Sequence, residues 1–222
     1  MNKTDPILGA LVHEHLLAVG VETPLAPQLL GVADKEKVAK ITALFTDIWQ
    51  TLGLDLADDS LKDTPARMAK MYVHEIYQGL HPENFPKCTT VDNKMQYNEM
   101  ILERNINVQS NCEHHGVVIS GRASVAYIPS DKVLGLSKIN RVVEYFCKRP
   151  QIQERLTEQI YHALSFILGT ASVAVVVDAE HYCVKSRGIR DVGSSTVTSK
   201  IGGAFLKPSV RAEFFSLIAT KS

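Results

Sequence analysis

Helical periodicity holds alone as far as Lys87 and strand character first enters after it, and that change restricts the chain to architectures that join a helical layer to a sheet. Ahead of Lys87, Val38, Ile41, Leu44, Phe45, Ile48, Trp49 and Leu52 recur at helical spacing, so an amphipathic helix over 34–52 is predicted, with Asp34 as its N-cap. A second helix should start where Asp63 or Thr64 caps and Pro65 takes the first helical position, running through Met68, Met71, Tyr72 and Ile76 until Gly79. Residues 8–19 read as a short leading helix. His81, Pro82 and Pro86, with the polar stretch 92–94, then end helical periodicity.

Beyond that point the pattern reads strand, strand, helix, helix, strand, strand. Residues 100–108 and 117–128 carry β-branched side chains with partial alternation and are joined by 109–116. Residues 136–146 and 152–168 are helical, separated by Arg149 and Pro150, with Ser137 as the N-cap of the first. Residues 172–177 and 194–199 have strand composition, and 209–219 reads as a closing helix. The expectation is an α+β fold: an antiparallel four-stranded sheet with two antiparallel helices on one face, preceded by a helical N-terminal region. The division is placed at 1–87 and 88–222, and an exposed sheet edge would invite self-association.

With 222 residues and 45% hydrophobic content the chain can bury one substantial core. Lys+Arg and Asp+Glu are equal at 24 each, so no excess positive field gathers nucleic acid or an anionic membrane, and phosphate binding has to be local. The first residues lack the apolar run of a secretory signal, and no stretch of about eighteen apolar residues occurs. Cys88, Cys112, Cys147 and Cys183 would staple a secreted chain of this size thinly; reduced thiols in the cytoplasm fit better.

Two of those cysteines stand within three residues of a histidine, in Cys112-Glu113-His114-His115 and His181-Tyr182-Cys183. A catalytic zinc takes three protein ligands of sulfur and nitrogen type and leaves a fourth position to water, whose pKa it lowers toward neutrality. Two thiolates and one imidazole would fit; buried thiols are the plain alternative. Each cluster lies beside a predicted strand, and neighbouring strands could bring them together. Cys147 falls on an apolar helical face beside Phe146, and His13, His15, His74, His81 and His162 read as surface or packing residues.

A second signal is cationic. Ser137, Lys138 and Arg141 stand at a helix start, and Lys185, Arg187 and Arg190 follow the second cluster, where phosphate oxygens would be welcome, although such residues are more often ordinary solvated charge. In Arg149-Pro150-Gln151-Ile152-Gln153-Glu154-Arg155, Gln153 and Glu154 open a helix. They either take part in capping or present acceptors to a heterocycle, and a carboxylate accepting two N–H bonds from a guanine edge would reject adenine.

The strings Ser110-Asn111-Cys112-Glu113-His114-His115, Gly135-Leu136-Ser137-Lys138-Ile139-Asn140-Arg141 and Arg149-Pro150-Gln151-Ile152-Gln153-Glu154-Arg155-Leu156 together resemble the GTP cyclohydrolase I family. So do His181-Tyr182-Cys183-Val184-Lys185-Ser186-Arg187-Gly188 and Thr64-Pro65-Ala66-Arg67-Met68-Ala69-Lys70-Met71-Tyr72, and the likeness covers nearly all of 34–205. The resemblance implies a tunnelling fold and hydrolysis of GTP to formate and 7,8-dihydroneopterin triphosphate by a zinc-activated water. That reaction opens pterin and folate biosynthesis. It also implies a cytoplasmic, allosteric homo-oligomer, a decamer of two pentameric rings with active sites at subunit contacts.

By motif, the resemblance assigns Cys112, His115 and Cys183 to Zn2+ and His114 and His181 to proton transfer. Gln153 and Glu154 match the guanine-reading position, and Ser137, Lys138, Arg141, Arg187 and Arg67 match the ribose and triphosphate contacts. Gly116 departs from the family, where bulkier residues follow the histidine pair, and Cys147 replaces a small apolar residue; neither carries a role. Two rivals belong to other classes. A structural zinc module would close its shell with a fourth ligand, and a zinc deaminase would carry a Pro-Cys-x-x-Cys signature, which is absent.

Overall fold

Residues 3–220 are described in the computed structural model of the chain. Helices come first: α1 (Pro6–Ala18), α2 (Pro27–Leu30), α3 (Asp34–Thr51) and α4 (Thr64–Met71). The Leu8 amide donates to the Asp5 carboxylate at 3.0 Å, capping α1, and Pro6 opens that helix where a missing N–H leaves no bond unmade. In α3 the extended cap position belongs to Ala33. Asp34 is instead the first helical residue, where its charge meets the positive end of the helix without making a capping bond.

Thr64 begins α4 and Pro65 is its second residue, so the proline sits one position later than predicted. That helix also stops early. After Met71 the backbone widens into one π turn, Tyr72–Ile76, followed by a 3-10 turn, Gln78–Leu80. Tertiary bonds take over there: the Gly79 amide donates to the Lys148 carbonyl at 2.9 Å, and the Gly79 carbonyl accepts from Arg149 Nε at 2.6 Å.

The remainder of the chain alternates strands and helices: β1 (Thr90–Asp92), β2 (Ile101–Cys112), β3 (Val118–Tyr127), β4 (Lys132–Leu134), α5 (Leu136–Cys147), β5 (Pro150–Gln151), α6 (Gln153–Leu168), β6 (Val173–His181), α7 (Tyr182–Lys185), β7 (Thr196–Ile201) and α8 (Pro208–Ala219). The main sheet has the order β5-β2-β3-β6-β7, and β2, β3, β6 and β7 make up the expected antiparallel run. β5 adds a two-residue strand parallel to β2, and β1 pairs with β4 in a separate ribbon; both are too short to show a period in sequence. Gly135, with extended backbone, holds the cap position of α5, and Ser137 is the second helical residue.

One face of the sheet is covered by α5, through Ile139, Val142, Val143 and Phe146, and by α6, through Leu156, Ile160, Ala163 and Leu164; all are buried against Val108, Ile119, Val125 and Val175. Val12 and Leu16 of α1, together with Phe85, belong to this same core. The opposite face carries a smaller cluster in which Phe205 and Phe214 cover Ala126, Ala174 and Val176. Arg104 Nη1 holds the end of α8 by donating to the Leu217 and Thr220 carbonyls at 3.0 and 2.8 Å. No helix among the described residues is long and apolar enough to cross a membrane.

A bulge in β2 decides which side chains point at the helices. Glu103 pairs with Val125 and Ile106 with Ala123, so β2 carries one extra residue there, and Asn105 takes a left-handed φ of 61°, which asparagine tolerates better than most side chains. Before the bulge Ile101 joins the helix-covered core; after it Ile106, Val108 and Cys112 do. The inward parity therefore shifts from odd to even, and without the extra residue Cys112 would face the other way.

Strand β3 places Gly121 opposite Ala179 of β6. A Cβ at Gly121 would stand 2.1 Å from the Asp178 carbonyl oxygen and 2.5 Å from the Ala179 Cα, both backbone atoms with no room to retreat. Gly121→Ala is expected to lower the unfolding free energy by about 1–3 kcal/mol, the usual range for overpacking. A denaturant midpoint unchanged from wild type would show that the two strands can separate without loss.

Candidate metal centre and active site

Cys112 is the last residue of β2, and strand alternation buries it beneath the helices. The chain then turns sharply: the Gly116 amide donates to the Cys112 carbonyl at 2.8 Å, and the Cys112 amide donates to Val117 O at 2.8 Å. Gly116 has a φ of 64°, a left-handed geometry that glycine adopts without strain, and a side chain there would meet nothing nearer than the Tyr72 hydroxyl at 3.8 Å. The turn carries His114 and His115, each placing Nδ1 3.8 Å from Cys112 Sγ.

Cys183 arrives from the other side of β3. β6 pairs with β3 so that Ile119 faces His181, and α7 begins immediately afterwards, carrying Cys183. Since β2 and β6 both flank β3, the turn after β2 and the end of β6 meet at one end of the sheet. Ligand atoms of Cys112, His115 and Cys183 all lie within 4.8 Å of one another, and no further His, Cys, Asp or Glu joins this group among the described residues. Zinc–sulfur and zinc–nitrogen bonds of about 2.3 and 2.0–2.1 Å could be made from such a set, so these side chains fit a soft-to-borderline cation with one coordination place left over.

Burial, and then contact with Cys112, push the Cys183 thiol above the ordinary cysteine range, while its backbone hydrogen bond and Arg187 pull it back; a bound cation would be what holds it as a thiolate. Cys88 and Cys147 are pushed up to about 12 by burial, which keeps both as thiols. Arg187 Nη1 donates to His115 Nε2 at 2.8 Å. An imidazole bound to a cation through Nδ1 carries its proton on Nε2, so ligation through Nδ1 excludes this bond and leaves the guanidinium free.

The two remaining histidines differ in environment. The His114 side chain is 63% exposed, with Nε2 3.8 Å from the Glu113 carboxylate. His181, at the end of β6, is half-buried, and burial lowers its pKa while the nearby Glu154 carboxylate opposes the shift, which favours the neutral ring. Its Nε2 lies 2.7 Å from Gln153 Oε1. Glu154, next along α6, is exposed.

The cationic residues are not all brought to this place. Ser137 is exposed, and Lys138 and Arg141 line a cleft of ≈ 950 Å³ with Lys3, Asp5, Lys87 and Thr89, to which the Cys112, His115 and Cys183 group contributes nothing. Arg67, with its side chain 75% exposed, pairs with Asp63 at 3.5 Å. Lys185 is held by Glu180 at 2.7 Å, and Arg190 is exposed. The chain thus gathers Cys112, His114, His115, Gln153, Glu154, His181, Cys183 and Arg187, and keeps Lys138 and Arg141 apart from them.

Sequence reasoning passed over Arg155 and Glu113, which form an ion pair between α6 and the turn after β2, while the Glu113 amide donates to Gln151 O at 3.0 Å. A carboxylate between two candidate metal-site residues, with an arginine beside Gln153 and Glu154, was the available signal.

Comparison with known proteins agrees with this geometry. The family described as GTP cyclohydrolase I matches residues 41–219. The chain is 54% identical over 210 residues to "GTP cyclohydrolase 1" of Escherichia coli O1:K1 / APEC, covering 94% of this chain and 95% of that protein. It stands at the same identity and coverage to the protein of that name from Shigella boydii serotype 18. A profile matching most of the chain, and relatives matched almost end to end, leave one conclusion: this chain is an enzyme of the GTP cyclohydrolase I family.

Proposed function

We propose that this protein hydrolyses GTP to formate and 7,8-dihydroneopterin triphosphate, the entry to pterin and folate biosynthesis, using zinc held by Cys112, His115 and Cys183. The observation that carries the reading is the meeting of those three donors, distant in sequence, within 4.8 Å at one end of the sheet in a chain of this family. When bound, the cation supplies a Lewis acid that lowers the pKa of a water toward neutrality. His181 and His114 move protons at the guanine imidazole ring and later at the opened ribose. The Glu154 carboxylate accepts from the guanine N–H edge and so rejects adenine. Arg187, Arg67, Ser137, Lys138 and Arg141 hold the ribose and triphosphate.

Because Lys138 and Arg141 face a different cleft from the metal group, the complete site needs neighbouring subunits. This supports a homo-oligomer, a decamer of two pentameric rings built on the tunnelling fold, with 88–222 as catalytic unit and 1–87 as helical extension. β7 lies at the sheet edge with Val197 62% exposed, and β5 covers β2 only at Asn111 and Cys112, which suits edge-to-edge pairing. A cytoplasmic, allosterically regulated enzyme fits this assembly. The structural-module alternative lacks a fourth side-chain donor among the described residues.

The decisive assay incubates zinc-loaded protein with GTP and follows formate together with a pterin chromophore; absence of both products would end the reading. Glu154→Ala is expected to keep its zinc and raise KM for GTP about 10–100-fold, the effect of losing charge-assisted hydrogen bonds of about 1.5–3 kcal/mol. An unchanged KM would remove Glu154 from guanine recognition.

A further inference from the structure

We propose that Gln153 is a positioning residue whose amide holds the His181 proton on Nε2, leaving Nδ1 as the ring atom that exchanges a proton with substrate. The inference rests on His181 being a proton-transfer residue, and it deepens that role. Gln153 opens α6 with its side chain buried, 1% exposed. Its Nε2 lies 3.0 Å from the Val177 carbonyl oxygen, 2.8 Å from the Thr196 carbonyl oxygen and 3.2 Å from Thr198 Oγ1. Its Oε1 lies 2.7 Å from His181 Nε2.

Hydrogen-bond chemistry sets the direction of each contact. Carbonyl oxygens only accept, so the amide NH2 has to face Val177 and Thr196, and turning the amide over would press its oxygen against both. Thr157 Oγ1 donates its one hydrogen to the Gln153 carbonyl at 2.9 Å. In the 2.7 Å contact between the two threonine hydroxyls, Thr198 is therefore the donor, which leaves its lone pairs to accept from Gln153. With the NH2 committed, Oε1 faces His181, and an oxygen there requires the hydrogen to sit on Nε2. A neutral imidazole carries one N–H, so Nδ1 is the basic atom, and among the described residues no hydrogen bond engages it.

This arrangement separates the roles of two adjacent residues. Glu154 is exposed and keeps its carboxylate for a ligand, whereas the Gln153 amide is buried, with its NH2 committed to backbone and its oxygen facing His181. Gln153 also ties α6 to β6 and β7, so the orientation of His181 is set by the same bonds that close the end of the sheet.

Nitrogen-15 NMR of ring-labelled histidine in the zinc-loaded enzyme, with His181 assigned by its loss in His181→Gln, reads the tautomer at a pH where the ring is neutral. The Nε2–H form is expected, and an Nδ1–H form in the wild type overturns the proposal without any variant of Gln153. Gln153→Met, similar in length and apolar, is expected to mix the two tautomers and lower kcat about 10–100-fold, the usual loss when an orienting partner is removed, while KM for GTP stays within about threefold. A raised KM with kcat unchanged would make Gln153 a base-reading residue and overturn the proposal. Wild-type enzyme that releases no formate would end the activity reading instead, while the tautomer measurement still decides whether Gln153 places the His181 proton.

Discussion

Cys183→Ala is expected to lose both bound zinc and formate release, with turnover falling on the order of 10³-fold or more. A catalytic cation supplies several kcal/mol at the reacting centre, and each 1.36 kcal/mol is about a factor of ten in rate. Two remaining donors, Cys112 and His115, cannot hold a cation that takes three protein ligands in catalytic sites. Metal analysis after gel filtration, run beside the formate assay, measures both effects. Cys147→Ala is the control: its thiol is buried and pushed up to about 12, so it offers no thiolate and its loss should leave zinc content unchanged. Wild-type zinc stoichiometry in Cys183→Ala would remove that residue from the ligand set.

Arg149→Met is expected to cost about 3–5 kcal/mol of unfolding free energy, the penalty for leaving one partner of a buried ion pair uncompensated. The Arg149 and Glu22 side chains are each 2% exposed and paired with one another. Arg149 also donates from Nη2 to the Tyr145 hydroxyl at 2.9 Å and packs 4.9 Å from the centroids of the Tyr145 and Phe146 rings. Glu22 in turn accepts from His13 and from the Thr23 amide, each at 2.7 Å. The pair thus fastens the segment after α1 to the end of α5. Replacing Glu22 with methionine in the Arg149→Met background should cost less than the two single losses summed, because no orphaned charge then remains. Denaturant midpoints at one fixed protein concentration test this, since any self-association would contribute to apparent stability. A loss under about 1 kcal/mol for Arg149→Met would show that water reaches Glu22.

The helices α3, α5 and α6 were legible because their apolar residues repeat every three or four positions, and the structure ends them within two residues of the predicted limits. Strands were legible as to existence but not extent. β2 runs on to Cys112 and β6 to His181, because the pairing of both with β3 continues after the apolar pattern fades. Capping was misread at Asp34 and Ser137: both residue types favour caps, but backbone geometry gave the position to the residue before Asp34 and to Gly135, two before Ser137. The helix begun by α4 does run on to Ile76, but as a π turn, and past it tertiary bonds from Gly79 to Lys148 and Arg149 fix the chain.

By itself the sequence determined the alternation of helix and strand, the pairing of Cys112 and Cys183 with histidines, and family membership, since each is written in residue type and spacing. Tertiary structure decided what depends on parity and on closed hydrogen-bond circuits. The bulge near Asn105 turned Cys112 inward, the common neighbour β3 brought two distant clusters to one end of the sheet, and burial drew the Gln153 amide into a set of bonds. Local pattern carries no record of a one-residue register shift or of which buried atom satisfies which, because both are set by partners far along the chain.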